Sequence, residues 1–95
     1  MDSILKTNKN ECFICHANGP MIEEHHIFGG YANRDISEDY GLKVYLCYRC
    51  HRSKYGVHQN RELMDKLHRI GQLAYMEHYD QTEEQFREIF GKSYL

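Results

Sequence analysis

A chain of 95 residues with a formal net charge of -2 and a sequence pI of about 6.4 has room for one small domain. It excludes a two-domain enzyme with its own deep cleft, and it excludes a uniformly basic protein of the kind that coats nucleic acid or an anionic membrane. Four Cys and seven His, with one Pro and no Trp, are the excess; a domain this size buries only about 60 to 65% of its surface and gains from a metal staple.

Met1 to Leu5 shows no cationic start followed by a 7 to 15 residue apolar run, and no segment reaches the roughly 20 apolar residues of a membrane span, so a cytoplasmic protein is expected. Residues 1 to 20 are polar and end in the turn signal Asn18-Gly19-Pro20, with Cys12 and Cys15 just ahead of it. Met21 to Phe28 carries apolar residues at both ends of Glu23-Glu24-His25-His26 and predicts a short strand that Gly29-Gly30 ends. Residues 31 to 41 are rich in turn formers, Asn33, Asp35, Ser37, Asp39 and Gly41, and predict a loop. Leu42 to Leu46 alternates as a second strand, completing a hairpin.

Beyond Cys50 the period changes. Leu63, Leu67, Ile70 and Ala74 recur at spacings of three and four and predict an amphipathic helix over about 60 to 79, which Gly71 weakens and marks for a bend. Thr82 with Gln85 forms a capping box at the head of a last helix, bearing Phe86, Ile89 and Phe90, that Gly91 ends. No linker or repeat divides the chain, so the expectation is a single small α+β domain: knuckles and strands over about 10–60, then a helical extension over about 60–95.

Cys12-Phe13-Ile14-Cys15 and Cys47-Tyr48-Arg49-Cys50 are two CxxC units separated by 31 residues. Two residues between thiolates let a tight turn offer both sulfurs to one tetrahedral ion, and two such turns close a structural zinc site. A redox reading of the same motif needs a βαβ scaffold that this chain is too short to build.

A closed four-cysteine site uses no histidine, yet His25-His26 sits in the first strand and His51 follows Cys50. Neighbours on a strand point to opposite faces, so His25 and His26 cannot both serve one ion side by side. A second, open metal site built from His25 and His51 is geometrically available, because zinc would tie residues 12–15 to residues 47–50. His58, seven residues after His51, either joins that site or lines it, Gly56 standing against a continuous helix between them. His16, His68 and His78 read as ordinary surface or core-edge histidines.

From Lys43 to Arg61 there are five basic residues and no acidic one, while five acidic residues against one Arg87 fill Glu77 to Glu88. The second knuckle is therefore locally basic, with Tyr45, Tyr48 and Tyr55 interleaved, which suits contact with a phosphate backbone.

Over Cys12 to Asn60 the pattern CxxC, Glu24-His25-His26-Ile27-Phe28-Gly29-Gly30, and Leu46-Cys47-Tyr48-Arg49-Cys50-His51 with Lys54 resembles the HNH (ββα-metal, His-Me finger) endonucleases, in particular small phage-associated members with a zinc-stapled core. The resemblance implies a ββα-metal core and hydrolysis of DNA phosphodiester bonds with one catalytic divalent ion such as Mg2+, Mn2+, Ni2+ or Zn2+. It implies that His25 and His51 hold that ion and that His26 is the general base. His58 stays a further candidate ligand on its spacing alone, and Arg52 and Lys54, with Arg34 and Arg49 behind them, are the cations that would position the phosphodiester. The family's middle Asn has no counterpart between Asn33 and Asn60, and Leu42 stands near its slot. Asn33, Asn60 or backbone contacts alone remain to brace the loop. So small a domain implies a homodimer or a phage or host partner protein for specificity. The rival is a non-catalytic zinc module that docks nucleic acid or protein through the 43–61 face, and a weaker third reading is an interaction protein working through Tyr75, Tyr79 and the acidic run.

Overall fold

The computed structural model describes all 95 residues as a two-stranded antiparallel sheet and four helices. In chain order these are β1 (Glu23–His26), α1 (Asn33–Tyr40), β2 (Lys43–Leu46), a single turn α2 (Tyr48–His51), α3 (Arg61–Tyr79) and α4 (Glu83–Phe90). No helix is long and apolar enough to cross a membrane.

β1 and β2 pair in the register Glu23↔Leu46, Glu24↔Tyr45, His25↔Val44 and His26↔Lys43. Side chains alternate across a strand, so Glu24, His26 and Lys43 share one face while Glu23, His25, Val44 and Leu46 share the other. The second face is the one covered by α2 and the core.

The connection between the strands corrects the sequence expectation: 33–40 is a helix, not a loop, and the strands are not a tight hairpin. Asn, Asp and Ser are poor helix formers only when their side chains take up local backbone groups. Here Ser37 is spent elsewhere: its Oγ accepts from Phe28 N–H (3.1 Å) and donates to Phe28 C=O (3.0 Å) in full burial. Ile36 and Tyr40, four apart, pack against the core. Ser37 and two backbone bonds, Ile27 N–H to Leu42 C=O and Leu42 N–H to Ser37 C=O, brace the connection. Asn33 instead bonds Phe90 C=O at 3.3 Å, and Asn60 caps α3 by accepting from Leu63 N–H.

α3 runs unbroken through Gly71, against the expected bend. Gly71 is buried, and a Cβ there would lie 2.7 Å from Ile27 Cγ2 and 3.2 Å from Phe28 Cε2. The missing side chain lets α3 lie directly on the exit of β1. α4 starts at the expected capping box, Thr82 accepting from Gln85 N–H and Gln85 accepting from Thr82 N–H. Phe28 anchors the core, fully buried with ring centroids 5.3 Å from Phe86, 4.8 Å from Phe90 and 5.1 Å from Tyr94. Truncating such a residue to Ala costs about 3 to 5 kcal/mol. Tyr75 and Tyr79 belong to this packing, Tyr75 buried and Tyr79 donating to Tyr40 C=O at 2.8 Å, so they offer little free surface to a partner.

Candidate metal centres and the histidine cleft

Four side chains meet where the two knuckles face each other. Cys12, Cys15, Cys47 and Cys50 bring their sulfurs within 4.8 Å of one another, and all four are free thiols. Cys15 Sγ and Cys47 Sγ are 3.6 Å apart, far beyond a disulfide's ~2.05 Å and close to the ~3.8 Å edge of a tetrahedron with ~2.3 Å metal–sulfur bonds. Local backbone geometry arranges this. His16 N–H bonds Cys12 C=O, Cys12 N–H bonds Ala17 C=O, and His16 takes a positive φ of 65° to close the first knuckle. Phe13 N–H to Tyr45 C=O (2.8 Å) clips that knuckle to β2, and His51 N–H to Cys47 C=O closes the second.

Burial opposes ionisation of Cys12, but the N–H groups of Cys15, Cys47 and Ile14 outweigh it and bring the thiol down to about 6. Burial and the surrounding thiols push Cys50 far up. Crowding of this kind is what a divalent cation relieves, and these residues are the right donor set for one.

The second cluster is made of imidazoles. His25, His51 and His58 place one ring nitrogen each within 4.8 Å of the others, with ring centroids 5.1 Å apart for His25–His51, 5.2 Å for His25–His58 and 4.9 Å for His51–His58. His25 comes from β1 and is buried; its Nε2 has no hydrogen-bond partner. Burial, with His51 and His58 next to it, lowers His25 to about 3, so the ring is neutral and its lone pair stays available. His51, at the end of α2, directs Nδ1 to Glu23 Oε1 at 3.3 Å, which leaves Nε2 for a ligand. His58 arrives by a fold-back, not by a continued helix. Gly56 permits it: a Cβ there would lie 2.8 Å from the His51 carbonyl carbon and 2.9 Å from the Cys50 carbonyl group. Val57 N–H then bonds Cys50 C=O at 2.8 Å and His58 turns toward β1.

These histidines floor an open cleft of about 510 Å³ whose walls include His26, Gly29, Gly30, Arg34 and Arg52. His26 sits at the edge of the opposite sheet face, with Nε2 2.8 Å from Glu38 Oε1 and 3.6 Å from Glu24 Oε1. Glu24, His26 and Glu38 cluster as a third group, but its cation position is filled by Lys43, whose Nζ lies 3.3 Å from Glu24 and 3.1 Å from Glu38. Glu38 also accepts from the Met1 ammonium at 2.8 Å; that contact, His26 and Lys43 hold its carboxyl down at about 2.

The four basic residues expected to meet phosphate divide into two pairs. Arg34 and Arg52 line the cleft, with Arg52 Nε held 2.7 Å from Glu23 Oε1. Arg49 and Lys54 lie outside it, flanking the exposed ring of Tyr55 at 5.9 and 5.2 Å from its centroid. Lys43, counted in the basic stretch, is buried in its ion pairs and contributes nothing to a free face.

Of the remaining histidines, His16 pairs with Glu11 at the surface, His68 stacks on Phe28 at 5.3 Å, and His78 lies against Tyr79. Sequence reading missed Glu23 and Glu38. The period-2 alternation puts Glu23 on the His25 face and was signal enough; Glu38 was invisible without α1. No family model matches the chain, and no curated protein or solved structure matches it either.

Proposed function

We propose that the protein is a metal-dependent endonuclease of the HNH (ββα-metal) type, hydrolysing DNA phosphodiester bonds, with zinc in the four-cysteine cluster and a catalytic divalent ion at His25, His51 and His58. The observation that carries this reading is the buried, unpartnered Nε2 of His25 within a three-imidazole cluster that floors an open cleft. A buried polar atom without a partner costs about 1 to 3 kcal/mol, and a bound ion is the group that satisfies all three rings together.

An ion held by His25, His51 and His58 would supply Lewis acidity to a phosphoryl oxygen and would neutralise charge on the leaving oxygen. The protein's own groups do the rest. Glu23 orients His51; Arg34 and Arg52 meet the non-bridging oxygens and stabilise the charge that develops on them. His26, next to His25 on β1 but on its other face, accepts the proton of the attacking water. Arg49, Lys54 and Tyr55 give the duplex backbone a further foothold beside the cleft.

A second reading, a zinc module that docks nucleic acid without cutting it, draws on the fact that Arg49, Lys54 and Tyr55 stand apart from the histidines. Plasmid nicking separates the two. Wild-type protein is expected to nick supercoiled DNA only with an added divalent ion, and His26→Ala to lose at least 100-fold in rate while keeping its zinc and its fold. DNA binding without nicking under Mg2+, Mn2+, Ni2+ and Zn2+ alike would favour the docking module.

A further inference from the structure

We propose that Glu38 is the positioning residue for His26, fixing the imidazole in the tautomer protonated at Nε2 and leaving Nδ1 as its basic nitrogen. The inference rests on the nuclease reading for its catalytic meaning, but the tautomer itself does not.

An ionised carboxylate has only acceptor sites, so the ring nitrogen 2.8 Å from Glu38 Oε1 must be the donor. A neutral imidazole carries one N–H, and a donor at Nε2 puts the lone pair on Nδ1. Glu38 is itself held. It projects from α1, and Lys43 Nζ contacts both of its oxygens, at 3.2 Å to Oε1 and 3.1 Å to Oε2. Lys43 is buried and stands directly across the sheet from His26, so the lysine that anchors the carboxylate and the histidine that receives it are register partners. The chain Lys43–Glu38–His26 thus runs from β2 through α1 to the cleft wall. Ser37, next to Glu38, is locked to Phe28 and fixes the rotation of α1 that aims the carboxylate.

A positioned carboxylate also favours the imidazolium that forms once His26 has taken a proton from water. The proton is taken on Nδ1, the water oxygen attacks phosphorus, the bond to the leaving oxygen breaks, and Glu38 keeps its hydrogen bond to Nε2–H throughout. Removing Glu38 therefore acts on turnover and not on DNA affinity.

The test uses the zinc-loaded full chain. Long-range 1H–15N correlation of the His26 ring at neutral pH is expected to show a protonated Nε2 and a bare Nδ1. Glu38→Ala is expected to shift the ring to a mixture of tautomers, and the isosteric Glu38→Gln, whose amide can donate or accept, to do the same without disturbing packing. A bare Nε2 in the wild type, or identical His26 shifts in all three proteins, overturns the proposal. In plasmid nicking, Glu38→Ala is expected to lower kcat 10- to 100-fold with KM unchanged, and to cost nothing further in a His26→Ala background. An equal fold-loss in both backgrounds means that Glu38 acts elsewhere and also overturns it. Absence of nicking by the wild type with every ion overturns the nuclease reading, and the ring spectrum still decides the tautomer.

Discussion

The two ligand clusters sit next to each other in the chain, Cys50 and His51 being adjacent, yet they are built on opposite principles. The cysteine cluster joins two knuckles from distant parts of the sequence, offers four sulfurs, the full donor set of a tetrahedral ion, and has two of its four thiols buried. The histidine cluster draws on one strand, one helix turn and one fold-back, leaves a buried nitrogen without a partner, and opens on a cleft edged with arginine. A closed ligand set holds a fold together. The histidine cluster instead leaves a buried polar atom uncompensated at the floor of a cleft.

That contrast can be broken in three ways, with effects of decreasing size. Removing the metal from the cysteine cluster, by strong chelation or Cys12→Ser, is expected to abolish the cooperative thermal transition seen by circular dichroism, because structural zinc in small domains contributes on the order of 10 kcal/mol. Gly56→Ala strikes the hinge between the clusters. Its Cβ would meet the Cys50 and His51 backbone at 2.8 to 2.9 Å, so the 52–58 segment must shift. A loss of about 1 to 3 kcal/mol in urea unfolding is expected, with zinc retained and His58 displaced from its partners.

At neutral pH His25→Leu has the smallest effect, because a buried nitrogen without a partner can be replaced by an apolar side chain with a small gain. With no second ion present, the variant is expected to gain about 1 kcal/mol of stability. The gain should grow in acid. Burial and the neighbouring histidines lower His25 to about 3 in the folded chain, below the 6.5 of a free histidine, so between those values the unfolded state binds the extra proton and wild-type stability falls as pH drops. The difference between wild type and His25→Leu therefore widens from pH 6.5 down to about 3, a window that urea titrations at several pH values measure directly; a constant difference would mean that His25 titrates normally.

How much of this was legible beforehand depended on whether the signal was local. The CxxC pairs, the α3 periodicity and the Thr82–Gln85 capping box are set by spacing within a few residues, and each appears where its residues predicted. The alternation of β1 correctly sent His25 and His26 to opposite faces. What failed was long-range. The segment 33–40 reads as a loop because its propensities are poor, and it becomes helical because Ser37 and Ile36 find partners in Phe28 and the core. With α1 hidden, Glu38 and its hold on His26 were hidden too. Gly71 reads as a weakness and is a contact surface; Gly56 reads as an interruption and is what returns His58 to the histidine cluster. The basic stretch was overcounted, since Lys43 turns inward to two glutamates.

Calorimetric titration of zinc-loaded protein with Ni2+ or Mn2+ decides whether the histidine cluster takes up an ion of its own, apart from the cysteine cluster. One further equivalent of bound ion is expected in the wild type, lost in His25→Ala and kept in His26→Ala. No further equivalent, or binding that survives His25→Ala unchanged, would contradict a separate metal site there.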